Sequence, residues 1–189
     1  MELFFDTETT GIPRNYNAPV SDTDNWPRLV QLGFILVNQK EILIEQEYIV
    51  KPSGFDIPVE ASNVHGITTE QARMTGIPVQ EVLEDFKHYI SISDAVVGHN
   101  ISYDIGVVGA EFFRLWKTNL FEGVRTICTM KSSVAFCKLP GGKPYKWPKL
   151  HELYRKLFDK DMGAAHTALQ DIQNTVVCYH ALVERGIIA

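Results

Sequence analysis

Three short segments carry the residue types that could do chemistry together: Asp6-Thr7-Glu8 near the start, His99-Asn100-Ile101-Ser102-Tyr103-Asp104 in the middle, and His166-Thr167-Ala168-Leu169-Gln170-Asp171 near the end. The first follows the apolar run Leu3-Phe4-Phe5, which reads as a strand. Side chains two apart on a strand share a face, so Asp6 and Glu8 point together while Phe5 and Thr7 point the other way. Two carboxylates on one face repel unless a proton or cation lies between them, and hard oxygen ligands suit Mg²⁺ or Mn²⁺. The alternative is a solvated strand end with two ordinary surface acids. Thr9, Thr10 and Gly11 should close the strand in a tight turn whose backbone N–H groups are free to face a ligand.

The elements that must position these residues follow from periodicity and punctuation. The polar stretch after Gly11, through Trp26 and Pro27, reads as a loop. The apolar runs 29–37 and 42–50 predict a strand pair with a short turn between them. Irregular chain is expected over 51–66, broken by Pro52, Gly54 and Pro58, before a short helix with Thr68 and Gln71 as its capping box. Pro78 can open a helix whose apolar positions Val79, Val82, Leu83, Phe86 and Ile90 follow the helical period. A brief strand over 95–97 ends at Gly98, and Asn100 or Ser102 can cap the next helix, which places Asp104 in its first turn. A strand over 124–127 and a short helix lead to a Pro/Gly-rich loop at 139–148, and helices marked by Leu150 to Phe158 and by Ala168 to Val183 finish the chain. Strands first in a run, then interleaved with helices, predict an α/β fold: a three-layer α/β/α arrangement around a central mixed sheet.

Composition narrows the function classes. With 189 residues, 45% hydrophobic and 22% charged, the chain is expected to form one domain over 1–189. Cys128, Cys137 and Cys178 contain no Cys-x-x-Cys pair, which points to reduced packing residues in a reducing cytosol, not a disulfide framework or structural zinc. No signal peptide or membrane-spanning run is visible. A net charge of −5 argues against bulk affinity for nucleic acid through lysine and arginine, an objection that weakens if the acids bind divalent cations.

Read together, the three segments resemble the three exonuclease motifs of the DnaQ-like 3′-to-5′ exonucleases, in the branch with four acids and a histidine, on a ribonuclease-H-like fold. That family includes the proofreading epsilon subunit of bacterial DNA polymerase III, ribonuclease T and oligoribonuclease. The resemblance implies that Asp6, Glu8, Asp104 and Asp171 bind two Mg²⁺ or Mn²⁺ ions and that His166 is the general base. It implies release of nucleoside 5′-monophosphates from the free 3′ end of single-stranded DNA or RNA. Thr167 stands where the sister branch has tyrosine, four residues before the last acid, whereas His166, five before it, fits the histidine branch. At about 100° per residue that separation takes His166 off Asp171's helix face, onto the loop near Gly163.

Thr7, Thr9, Gly11, His65 and Asn100 complete the candidate site as substrate contacts. His65 is equally a turn residue. His99 reads as a structural histidine bonded at a strand end. The loop bearing Lys143, Tyr145, Lys146, Trp147 and Lys149 reads as solvated with a buried Trp147, the alternative being a lip for a single strand. The rival functions are an exoribonuclease of the oligoribonuclease or ribonuclease T kind and a non-catalytic, polymerase-associated module of the same fold. Epsilon-type tethering to a polymerase is not expected, because the chain stops at Ala189.

Overall fold

The computed structural model describes residues 1–163 and 168–189. In chain order the elements are β1 (Glu2–Thr9), β2 (Leu29–Asn38), β3 (Glu41–Ile49), α1 (Val59–His65), α2 (Thr69–Thr75), α3 (Val79–Ser91), β4 (Ala95–Gly98), α4 (Ser102–Trp116), β5 (Thr126–Cys128), α5 (Thr129–Ser132), α6 (Val134–Cys137), α7 (Leu150–Phe158) and α8 (Ala168–Glu184). Among the described residues they form a mixed sheet in the order β3-β2-β1-β4-β5. The β1–β2 and β2–β3 pairs are antiparallel, while β4 and β5 run parallel to β1.

Alternation along β1 divides the core into two halves. Leu3 and Phe5 join Phe34, Val96 and the apolar faces of α3 and α4 on one side. Phe4, Ile35 and Val97 meet α7 and α8 on the other. The sheet is therefore covered on both faces, the three-layer arrangement expected. Among the described residues no helix is long and apolar enough to cross a membrane.

Four local expectations are corrected. Residues 59–65 are helical, not irregular: Pro58 presets its start and Gly66, at φ 79°, caps its end. None of its residues is buried, so no apolar period announced it. Neither Asn100 nor Ser102 caps α4 through its side chain; Ile101 occupies the cap and Asn100 takes a left-handed φ of 69°. The fifth strand lies at Thr126–Cys128, because Val124 is held in a turn by its N–H bond to the Phe121 carbonyl. Trp147 is 62% exposed, where a buried ring was expected.

The long segment between β1 and β2 is tied down tightly. A Cβ at Gly106 would come within 2.1 Å of the Trp26 ring, and one at Gly109 within 2.7 Å of Val20, so these two glycines form a notch on α4 that receives the segment. Glu111, 1% exposed, accepts from Arg28 Nε at 2.7 Å and the Leu29 N–H at 3.1 Å, and pairs with Arg114 at 3.1 Å. Such a buried carboxylate is tolerated because two guanidinium groups and a backbone N–H face it.

Candidate active site

The acids meet at the carboxyl ends of the parallel strands β1 and β4. Asp6 and Glu8 leave β1 on the α8 side of the sheet, the side that Phe4 occupies further back. Asp104 comes from the first turn of α4, just past the end of β4, and Asp171 from the first turn of α8. Asp104 is 3% exposed and held from β1: its Oδ1 accepts from the Thr7 N–H at 3.1 Å and from Thr7 Oγ1 at 2.6 Å. Thr7, expected to touch substrate, thus serves first to seat this acid.

A residue that the sequence reading missed controls the approach of α8. Gly33 on β2 pairs directly with Asp6, and a Cβ there would lie 2.8 Å from Ile172 Cδ1 and 3.4 Å from Ala168 Cβ. The bare backbone lets the first turn of α8 settle against the sheet beside Asp6, which carries Asp171 toward the other acids. A glycine inside an otherwise apolar strand was the available signal. Gly33→Val is expected to cost about 1–3 kcal/mol of stability by overpacking and to lower turnover; Gly33→Ala should do less of both, because only the tip of Ile172 must move. Thermal melting and turnover check this, and a fully active, equally stable valine variant refutes it.

The electrostatics are those of crowded acids. Burial, then Asp104, Glu8 and Asp171, hold the Asp6 carboxyl well above the usual carboxylate range. Burial and Asp171 push Glu8 up to about 7. Burial also lifts Asp104 to about 7, against the lowering effect of the Thr7 bonds. Among the described residues no three His, Cys, Asp or Glu side chains are already drawn into a finished metal cage. The four carboxylates sense one another as charges, and a small dication relieves that repulsion, so the donor set fits a hard divalent metal. His166 lies outside the described residues.

Beside the acids is a cleft of about 240 Å³ whose walls include Thr7, Glu8, Thr9, Gly11, His65 and Tyr103. Four of the five expected substrate contacts are therefore brought together. The backbone of the 9–11 turn is not free, however. The Thr10 N–H donates to the Arg28 carbonyl at 3.0 Å and the Gly11 N–H to Thr9 Oγ1 at 3.3 Å. The turn is bound to its own segment, and Tyr103, a motif residue to which the sequence assigned no role, bonds through its hydroxyl to the Gly11 carbonyl at 2.7 Å.

His65 is both the last residue of α1 and a cleft wall. Its Nδ1 accepts from the Ile67 N–H at 3.1 Å and Nε2 is buried against the Thr9 backbone; burial lowers its pKa, against the raising effect of that Thr9 contact. Asn100, the fifth contact, lines a separate, neighbouring cleft of about 430 Å³. His99 is structural as expected: Nδ1 pairs with Thr129 Oγ1 at 3.0 Å and Nε2 with the Pro148 carbonyl at 2.9 Å, and burial lowers its pKa to about 4. Cys137 and Cys178 are buried and Cys128 half-buried, all as free thiols.

A sheet covered on both faces with acids gathered at the ends of its parallel strands is an arrangement suited to a hydrolytic site that works with a divalent metal. Residues 3–179 match the RNase_T exonuclease family model, and the chain belongs to this exonuclease family.

Among relatives, the DNA polymerase III subunit epsilon of Buchnera aphidicola is 27% identical over 145 residues, covering 75% of this chain and 58% of that protein. An uncharacterized exonuclease of Escherichia phage 186, CP81, is 28% identical over 189 residues, covering 97% of this chain and 89% of that one. A crystal structure of E. coli exonuclease I in complex with a dT13 oligonucleotide superposes with a TM-score of 0.73 at 18% identity, over 97% of this chain and 41% of that one. The chain thus spans a little over half of the Buchnera subunit and about two-fifths of exonuclease I.

Proposed function

We propose that residues 1–189 act as a single exonuclease domain that removes nucleoside 5′-monophosphates one at a time from the 3′ end of single-stranded DNA or RNA. The observation that supports this reading best is the group of four acids from β1, α4 and α8, each charge raising the proton affinity of others in the group. Asp6, Glu8, Asp104 and Asp171 would hold the metal, two Mg²⁺ or Mn²⁺ ions. Bound there, such ions supply activation of a water and neutralisation of charge on the scissile phosphate.

The chain's own groups do the rest. Thr7 keeps Asp104 oriented, and Asp171 depends on the close approach of α8 at Gly33. The cleft beside Thr9, Gly11, His65 and Tyr103 receives the terminal nucleotide, with Asn100 contacting its neighbour. His166 takes the proton of the attacking water. Family membership and the sequence likeness to an epsilon subunit favour an enzyme that trims or proofreads ends over a non-catalytic module, and cytoplasmic action suits free thiols.

The test is cleavage of matched 5′-labelled DNA and RNA strands, with Mg²⁺ or Mn²⁺ and with EDTA. Stepwise shortening that stops in EDTA and on a 3′-phosphorylated strand is expected. Full activity in EDTA overturns the metal assignment, and release of internal fragments from a 3′-blocked or circular strand overturns the direction.

A further inference from the structure

We infer that Trp147 and Tyr16 form a second binding platform, on which a single strand stacks its bases upstream of the nucleotide being removed. This rests on the nuclease reading above and assigns residues that reading does not use. Both rings are costly to leave in water, yet Trp147 is 62% and Tyr16 57% exposed. Both line the cleft of about 430 Å³ together with Asn100, Ser102 and the exposed Lys131. That volume lies in the range of about 300–1,000 Å³ usual for ligand sites.

Each ring rides on backbone that is pinned nearby. The residue before Trp147, Lys146, gives its N–H to the Leu139 carbonyl at 3.0 Å and its Nζ to Glu152 at 2.6 Å. The residue after it, Pro148, offers its carbonyl to His99 Nε2 at 2.9 Å. His99 thereby ties this loop to the end of β4. Asn15, next to Tyr16, is held twice by Asn25, at 2.8 and 2.9 Å. An exposed aromatic on fixed backbone has already lost the freedom that binding would otherwise remove.

The cleft also adjoins the one beside the acids. Tyr16 lies against Tyr103, with ring centroids 6.3 Å apart, and Tyr103 is itself a wall of the terminal cleft. Asn100 and Ser102 stand four and two residues before Asp104 on the chain. Aromatic faces with one lysine beside them, leading into an acidic site, match a strand of bases joined by phosphates. Stacking accepts any base and phosphate needs the cation.

The test compares Trp147→Ala, Trp147→Phe and Tyr16→Ala with the wild-type chain. Anisotropy in EDTA measures binding of a labelled single strand, and kinetics in Mg²⁺ or Mn²⁺ compare a long strand with a dinucleotide. Strand affinity is expected to fall about 10- to 100-fold in each alanine variant and to recover largely in Trp147→Phe. The ratio of long-strand to dinucleotide kcat/KM should fall by a similar factor. Unchanged strand affinity in Trp147→Ala overturns the platform, as does an equal loss on both substrates, which would mark a structural role. If the wild-type chain cleaves nothing but its strand binding still depends on Trp147, the platform stands and the nuclease reading falls.

Discussion

An Asp6→Asn protein is expected to lose at least about 10³-fold in turnover, the scale of several kcal/mol of lost charge stabilisation, while melting no lower than wild type in EDTA. Asn has the shape of the protonated acid and carries no charge, so it ends the repulsion from Asp104, Glu8 and Asp171. Direction with pH follows from the same crowding. Glu8 rises from 4.5 and Asp104 from 3.8, each to about 7, so the folded chain holds these protons longer than the unfolded chain does. The stability they contribute is present below about pH 4 and is lost as pH climbs toward about 7. Thermal scans in EDTA should therefore show wild type falling behind Asp6→Asn across that window. Added Mg²⁺ should raise the wild-type Tm near neutrality and do much less near pH 5, where protons already occupy the acids. A large drop in Tm for metal-free Asp6→Asn would mean that Asp6 is a structural acid.

His166→Ala should cut turnover by about 10²–10⁴-fold, the usual contribution of a positioned base. Strand and metal binding should survive, because the carboxylates remain. A histidine accepts a proton only while its ring is neutral, so wild-type turnover should rise with pH as His166 loses its proton. The rising limb should vanish in the variant, leaving a slow rate that still climbs at higher pH. If the folded variant keeps wild-type turnover and pH profile at saturating metal, His166 leaves the mechanism and the histidine-branch assignment goes with it.

What the sequence made legible was whatever rests on local pattern. β2 and β3 stand out as apolar runs on either side of a polar turn, α3 and α8 follow the helical period, and Asp6 and Glu8 share a face by strand geometry alone. Asp104 and Asp171 gained meaning only from motif order, since a first-turn acid on a helix is already a sound electrostatic choice. Features that depend on distant partners stayed hidden. Glu111 sits on the apolar face of α4, and nothing near it in sequence announces Arg28, 83 residues away. Gly33 reads as a weak spot in β2 until α8 is laid against it. The Thr10 N–H looked free because its acceptor, the Arg28 carbonyl, comes from 18 residues away, while the Gly11 N–H turns back locally onto the Thr9 hydroxyl. Trp147 was expected inside on hydrophobicity alone, an expectation blind to the anchors on either side of it.

The glycine notch on α4 bears on how freely this scaffold can be remodelled. Segments that join strands are normally the first choice for transplantation between relatives, because they tolerate exchange better than core elements do. The one between β1 and β2 is a poor donor on its own: Trp26 and Val20 sit where Gly106 and Gly109 carry no side chain, and Arg28 needs Glu111. A graft of residues 12–28 into a host helix with alanines at the notch would collide with it, and without the glutamate it would bring an unpaired cation. The portable unit is the segment together with α4, so tailoring of strand length or base preference by recombination has to move a helix along with the loop.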